Sequence, residues 1–132
     1  MPDDATIICV HDAARPFADA ALFSRVVAAV AAGADGAIPA IAVTDPIKVV
    51  DGGVVVATPD RASLVAVQTP QAFRAEVLRR AHTTADTSTD DAALVEAIGG
   101  RIVVVEGDTH NRKITHPDDL EWARRQLATS RP

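Results

Sequence analysis

The sequence predicts one α/β domain in which a parallel sheet carries helices on its faces, and three observations predict it. A strand, a helix and a second strand follow one another between residues 6 and 43, the succession of a βαβ unit. Later strand-like runs again alternate with helical periodicity. The length, 132 residues with 48% hydrophobic content, suits a single core, because compact domains cluster at ~100–150 residues. No repeat, low-complexity block or linker divides residues 1–132.

The elements follow in order. Residues 6–10 are a β-branched apolar run ending at His11-Asp12, expected as a strand buried on both faces. Asp19 is placed to cap a helix over 19–32, whose Leu22, Val26, Ala29 and Val30 share one face and whose end is marked by Gly33. Residues 36–43 return as a strand. Residues 47–50 and 54–57, joined by Asp51-Gly52-Gly53, read as a β-hairpin. Such an apolar ribbon is marginal alone, so it must pack on its own domain or on a second copy. Residues 64–68 form another strand candidate. Thr69-Pro70 carries the cap and first-turn proline of a helix bearing Phe73, Val77 and Leu78. Thr89-Asp90-Asp91 caps a short helix through Ile98, stopped by Gly99-Gly100, and 101–106 is a strand. His116-Pro117-Asp118-Asp119 opens a last helix with Leu120, Ala123 and Leu127 in a stripe and Trp122 at its edge.

Composition removes several classes of function. Thirteen basic residues against eighteen acidic ones leave a net charge of −5, which disfavours nonspecific binding to nucleic acid or anionic membrane. A polyanionic ligand must therefore meet a local basic pocket. One cysteine, Cys9, makes neither an internal disulfide nor a Cys-based zinc site. No apolar run approaches the ~20 residues of a membrane span, and Met1-Pro2-Asp3-Asp4 lacks the basic flank of a signal peptide. A cytoplasmic protein is expected.

The groups able to do chemistry sit after strands, where open α/β sheets place ligands. In His11-Asp12-Ala13-Ala14-Arg15-Pro16, Asp12 either holds a divalent cation beside an anion-binding Arg15 or simply pairs with it to close the loop. Arg61 in Thr58-Pro59-Asp60-Arg61 reads as a surface cation or a functional one. Gln68-Thr69-Pro70-Gln71 is a junction whose hydroxyl and amides could hold a phosphate. Asn111-Arg112-Lys113 puts an amide and two cations after a strand. The four histidines have no metal-ligand spacing, and neither a Ser/His/Asp motif nor a Gly-rich phosphate loop occurs.

Taken together, VHDAARPF (10–17), DPIKVVD (45–51), TPDRASLVAVQTPQAF (58–73), TDDAALVEAIGG (89–100), VVEGDTHNRKIT (104–115) and HPDDL (116–120) resemble the cytidylyltransferases that join CTP to 2-C-methyl-D-erythritol 4-phosphate in the non-mevalonate isoprenoid pathway. Several blocks in register are more specific than any one of them. The resemblance implies a Rossmann-like nucleotide-diphospho-sugar transferase fold, truncated, with a projecting β-hairpin dimerisation arm over about 44–62. It places the chain as the C-terminal part of that enzyme, without the N-terminal Gly-rich loop that binds CTP.

Carried over residue by residue, the resemblance gives Asp12 the magnesium ion and substrate hydroxyls, with Ala13 and Arg15 in the same loop. Arg61 is the arginine an arm hands across a homodimer to the partner's methylerythritol phosphate, which explains the unsupported hairpin. Thr69, Thr89 and Asp90 are substrate contacts, and Lys113 stands beside the reacting phosphates. The implied catalytic residues are Arg61 and Lys113, the cofactor Mg2+, the partners CTP and the polyol phosphate. One departure stands out. Where the family usually carries a phosphate-contacting threonine after Asp45, this chain has Pro46, with neither hydroxyl nor N–H. The competing readings are a ribitol 5-phosphate cytidylyltransferase, which shares the fold and several motifs, and a non-catalytic remnant that only folds and dimerises.

Overall fold

The structure, a computed structural model, describes residues 3–84 and 90–130. It contains β1 (Ile7–Val10), α1 (Ala20–Ala31), β2 (Gly36–Ala42), β3 (Val49–Asp51), β4 (Val54–Ala57), a 3-10 turn (Arg61–Ser63), β5 (Val65–Val67), β6 (Gln71–Arg74), α2 (Ala75–Thr83), α3 (Asp91–Ala97), β7 (Ile102–Glu106) and α4 (Pro117–Ser130).

The main sheet is mixed rather than parallel, which corrects the expectation. β6 lies between β1 and β2 and is antiparallel to both, with Ile8 opposite Phe73 and Gly36 opposite Phe73. β1 and β2 therefore run the same way without touching as a ladder. β7 pairs parallel with β2, with Ile38 opposite Val104. Further along β2, β5 takes over antiparallel from β6, with Ala40 opposite Val67. The fully buried Pro39 sits where β2 passes from one neighbour to the other, a point in the strand that can spare an N–H donor. The helix expected from Thr69-Pro70 is also corrected. That peptide bond is cis, residues Gln71–Arg74 are a strand, and the helix begins only at Ala75.

Two layers of helix cover the sheet. On one face Phe73, Val77, Leu78, Ala81, Leu94 and Val95 form a core with Ile8, Ile38 and Ile102 from the strands. On the other, Val26 and Val30 of α1 pack on Ala37 and Ala72. Asp19 caps α1 by accepting the Leu22 N–H at 2.9 Å, and Gly33 follows at φ +124°, a conformation that costs a side chain heavily. β1 is not buried on both faces as expected, because it lies at the end of the strand order and leaves Cys9 exposed. In the α4 stripe only Ala123 is buried, while Leu120 and Leu127 stay exposed. They line an apolar cavity of about 450 Å³ with Ala13, Ala14, Pro16, Phe17 and Ile114.

The hairpin is a separate two-stranded sheet, with Val50 opposite Val55 and Asp51 opposite Val54. Gly52 and Gly53 turn it with φ of 55° and 80°, the left-handed pair that such a turn needs. Val49, Val50, Val54, Val55 and Val56 all face solvent. At the base, the Arg61 guanidinium donates to the Thr44 carbonyl at 3.0 Å.

Candidate active site

Because β1, β2 and β7 share one direction and β6 opposes them, the loops after β1 and β7 and the segment before β6 meet at one end of the sheet. These three loops carry most of the residues singled out from the sequence. Asp12 and Lys113, about a hundred positions apart, stand 3.5 Å from each other, Oδ2 to Nζ, with both side chains partly open to solvent. The other carboxylate oxygen, Oδ1, accepts the Ala14 N–H at 2.9 Å. The Asp12 N–H donates to the Thr69 hydroxyl at 3.0 Å. Arg15 Nη1 donates to the Asn111 carbonyl at 2.8 Å, and the Ile114 N–H reaches back to the Ala14 carbonyl at 2.7 Å.

These contacts set the electrostatics. The Ala14 N–H first, then the Lys113 ammonium and the Arg15 guanidinium, hold the Asp12 carboxyl below the ordinary carboxylate value, against the opposing effect of burial. Burial draws the Arg15 guanidinium down from its usual value, and the Asp12 charge works against that pull. An anionic acid flanked by two cations at the mouth of a sheet can receive a charged ligand without a large change of protonation.

Several neighbours in this constellation lie in the segments noted from the sequence but received no role of their own there. The His11 imidazole spans the loop, with Nε2 donating to the Arg15 carbonyl at 2.9 Å and Nδ1 3.0 Å from the Thr69 hydroxyl. Gln68 and Asn111 are buried polar residues beneath the loops. Arg112, the cation beside Lys113, belongs to the scaffold. Its guanidinium is 2.7 Å from Asp119 and lies over the Trp122 ring at 5.1 Å. Phe17 and His110 complete that aromatic patch, with ring centres 5.0 Å apart.

The remaining sequence candidates are placed differently. Arg61 lines a separate cavity of about 600 Å³ with Ala40, Ile41, Val43 and Leu64. Among the described residues, no hydrogen bond or ion pair joins it to Asp12, Arg15, Thr69 or Lys113. A smaller recess puts Arg61 beside Pro46, Ile47, Thr58 and Pro59. Asp90 caps α3 by accepting the Ala92 and Ala93 N–H groups at 3.0 and 3.3 Å. Thr89 lies outside the described residues. No group of three or more His, Cys, Asp or Glu side chains gathers as a metal cage among the described residues. Asp12 is a single hard oxygen donor, which suits a divalent cation whose other ligands are water or a bound anion rather than a cage of protein ligands. No described helix is long and apolar enough to cross a membrane.

Comparison with known proteins identifies the family. The sequence profile described as "IspD: 2-C-methyl-D-erythritol 4-phosphate cytidylyltransferase" matches residues 1–129. The 2-C-methyl-D-erythritol 4-phosphate cytidylyltransferase of Rubrobacter xylanophilus is 48% identical over 130 residues, covering 96% of this chain and 56% of the relative. The bifunctional enzyme IspD/IspF of Oleidesulfovibrio alaskensis is 50% identical over 125 residues, 91% of this chain and 31% of the relative. The chain thus spans about half the length of the first and about a third of the second. The crystal structure of the 2-C-methyl-D-erythritol 4-phosphate cytidylyltransferase from Thermus thermophilus superposes with a TM-score of 0.82 at 36% identity, covering 93% of this chain and 62% of that one. A 4-diphosphocytidyl-2C-methyl-D-erythritol synthase from Anaerococcus prevotii gives 0.84 at 29% identity, covering 97% of this chain and 61% of that one. The mixed sheet is accordingly that of the Rossmann-like nucleotidyltransferases. With the profile running over nearly its whole length and the loops converging as described, the chain belongs to the 2-C-methyl-D-erythritol 4-phosphate cytidylyltransferase family.

Proposed function

We propose that the protein serves transfer of CMP from CTP to 2-C-methyl-D-erythritol 4-phosphate. A phosphate oxygen of the alcohol phosphate attacks the α-phosphorus of CTP, the α–β bridging bond breaks, and pyrophosphate leaves with its electron pair. The observation that carries the reading is the Asp12–Lys113 pair, joined across three loops by Thr69 and Arg15. Two polyanions have to be brought together, so positioning and charge neutralisation dominate and no general base is needed. Lys113 and Arg15 supply fixed positive charge, Thr69 and Asp12 contact substrate hydroxyls, and Ala13 contributes its place in the loop.

Magnesium, when bound, neutralises charge on the phosphates. Asp12 is the residue that would hold it, since its carboxylate stands against Lys113 at the converging loops, and Lys113 would then share or release its contact. Arg61 acts from a second copy: its own cavity lies at the arm base, and the exposed valines of the arm are the surface two copies would bury. Asp90, at the start of α3, is a proposed substrate contact, as is Thr89. The protein works in the cytoplasm as a homodimer. Pro46 shares the Arg61 recess, so the phosphate held there receives one hydroxyl fewer than in relatives with threonine.

Pyrophosphate release from CTP, magnesium and the alcohol phosphate, with ribitol 5-phosphate in parallel, tests the reading. Turnover with methylerythritol phosphate well above ribitol phosphate is expected, and Arg61→Ala is expected to lower it by about two orders of magnitude or more with the melting temperature unchanged. Preference for ribitol phosphate would move the protein to the sister activity. Absence of both turnover and calorimetric CTP binding would leave a chain that folds and dimerises without catalysis.

A further inference from the structure

Asn111 is fully buried in a loop whose following residues, Arg112 and Lys113, are exposed. Its side-chain Nδ2 donates to the Thr69 carbonyl at 2.8 Å and lies 3.4 Å from Gln68 Oε1. Its own carbonyl receives Arg15 Nη1. Gln68, also buried, holds Asp108 in both directions, accepting the Asp108 N–H at 3.0 Å and donating to the Asp108 carbonyl at 2.8 Å. Two amide side chains therefore tie the 68–69 segment to the 108–111 loop, mostly through main-chain atoms.

Burying amides is costly unless their hydrogen bonds are made, and an apolar pair would fill the same space. What the amides add is direction. Thr69, gripped by Asn111, accepts the Asp12 N–H through its hydroxyl. Arg15, gripped by the Asn111 carbonyl, belongs to the turn closed by its N–H to the Asp12 carbonyl at 3.0 Å. Lys113 follows Asn111 by two residues. Asn111 thus bonds to both of the other loops from beneath, and it leads directly into the lysine. Its Oδ1 is buried without a hydrogen-bond partner, as is Arg15 Nε; the amide is held in place by what it donates.

We propose that Asn111 is a positioning residue: through the Thr69 carbonyl and the Arg15 guanidinium it sets Lys113 and Thr69 against Asp12, with Gln68 fixing the entry of the loop. This rests on the reading of Asp12, Thr69 and Lys113 as substrate-facing groups. A displacement of about 1 Å at such groups is enough to cost on the order of a hundredfold in rate, so a rigid tether beneath exposed charges has a functional purpose.

Amide hydrogen exchange by NMR on the protein, together with calorimetric binding of 2-C-methyl-D-erythritol 4-phosphate, tests it. In Asn111→Ala, exchange at the Asp12 and Ile114 amides is expected to rise at least about tenfold while the β2 and β7 amides change less than about threefold. Affinity for the alcohol phosphate is expected to fall by about tenfold or more. If that variant fails to fold, Asn111→Ser and Gln68→Met are read the same way, the latter with its largest change at the Asp108 amide. Unchanged exchange at Asp12 and Ile114, or an equal rise at every amide, would overturn the positioning role. A wild-type protein that binds no alcohol phosphate would instead overturn the functional reading, while the exchange pattern still decides whether Asn111 locks the loops.

Discussion

Gly107→Ala is expected to be far more damaging than its single added methyl suggests. A Cβ at this position would stand 2.7 Å from Gln68 Oε1, 2.9 Å from the Ala40 carbonyl oxygen and 3.0 Å from its carbon. Ala40 cannot withdraw, because it is main chain in β2, paired with Val67 on one side and Glu106 on the other. Gln68 is held by Asp108. The 107–108 segment must therefore retreat by about half an ångström to reach ordinary contact. Retreat lengthens the Gly107 N–H bond to Ala40 and the Asp108 N–H bond to Gln68, 2.9 and 3.0 Å in the native chain. Overpacking costs about 1–3 kcal/mol and each weakened hydrogen bond up to about 1 kcal/mol, giving roughly 2–4 kcal/mol. For a domain of this size each kcal/mol lowers Tm by about 3–4 °C, so a fall of roughly 6–16 °C is expected by calorimetric melting. Lys113 moves with the loop, so affinity for the alcohol phosphate falls as well. A variant melting within about 2 °C of wild type would refute the reasoning, since it would mean that β2 yields to the methyl.

Asp119 accepts the His116 and Thr115 N–H groups and the Thr115 hydroxyl, with Arg112 beside it, and these hold its carboxyl well below the ordinary range. Its contribution to stability is complete above the unfolded carboxylate value of about 3.9 and is lost as pH falls below it. Tm should thus drop on acidification below about pH 4 in wild type, and less steeply in Asp119→Asn, which is already destabilised at neutral pH; parallel curves would contradict this. Lys113→Met is expected to raise the Asp12 carboxyl only part of the way to its ordinary value, because the Ala14 N–H is the largest cause of the depression; carboxyl-carbon NMR titration measures it, and no movement would separate the two groups. Val55→Glu places charge on the arm's exposed apolar ribbon, and sedimentation equilibrium should show a wild-type dimer and a folded monomeric variant, a wild-type monomer being the contrary result.

How much of this was legible in the sequence depended on how local each signal was. The Asp19 cap, the Leu22, Val26 and Val30 stripe, and the hairpin turn are decided by neighbouring residues and stand in the structure as read. Residues 69–74 were misread because β6 is internal: Ala72 packs toward α1 and Phe73 toward α2 and α3, so both faces are apolar and alternation vanishes. Thr-Pro then imitates a helix start. The antiparallel insertion of β6 between β1 and β2 is a long-range choice that no window reveals. Asp12, Arg15, Thr69 and Lys113 were noted because they follow or precede strands, but local pattern alone left them as loop residues, and their substrate-facing roles came from the family resemblance. Gln68 and Asn111 were passed over as site residues because an amide in a polar stretch looks solvated; only the fold shows it sealed beneath three loops. Arg61 could not be brought to them by one chain's geometry.

β1 finds its ladder neighbour only in β6, about sixty residues later, and Asp12 meets Lys113 later still. Closing loops of that length carries an entropic penalty before any contact rewards it, which slows folding of such topologies. During synthesis at roughly 5–20 residues per second, the first strand waits on the order of three to twelve seconds for its neighbour to emerge. For that interval the nascent chain carries an unpaired apolar strand bearing the Cys9 thiol, an open edge on which wrong associations can form.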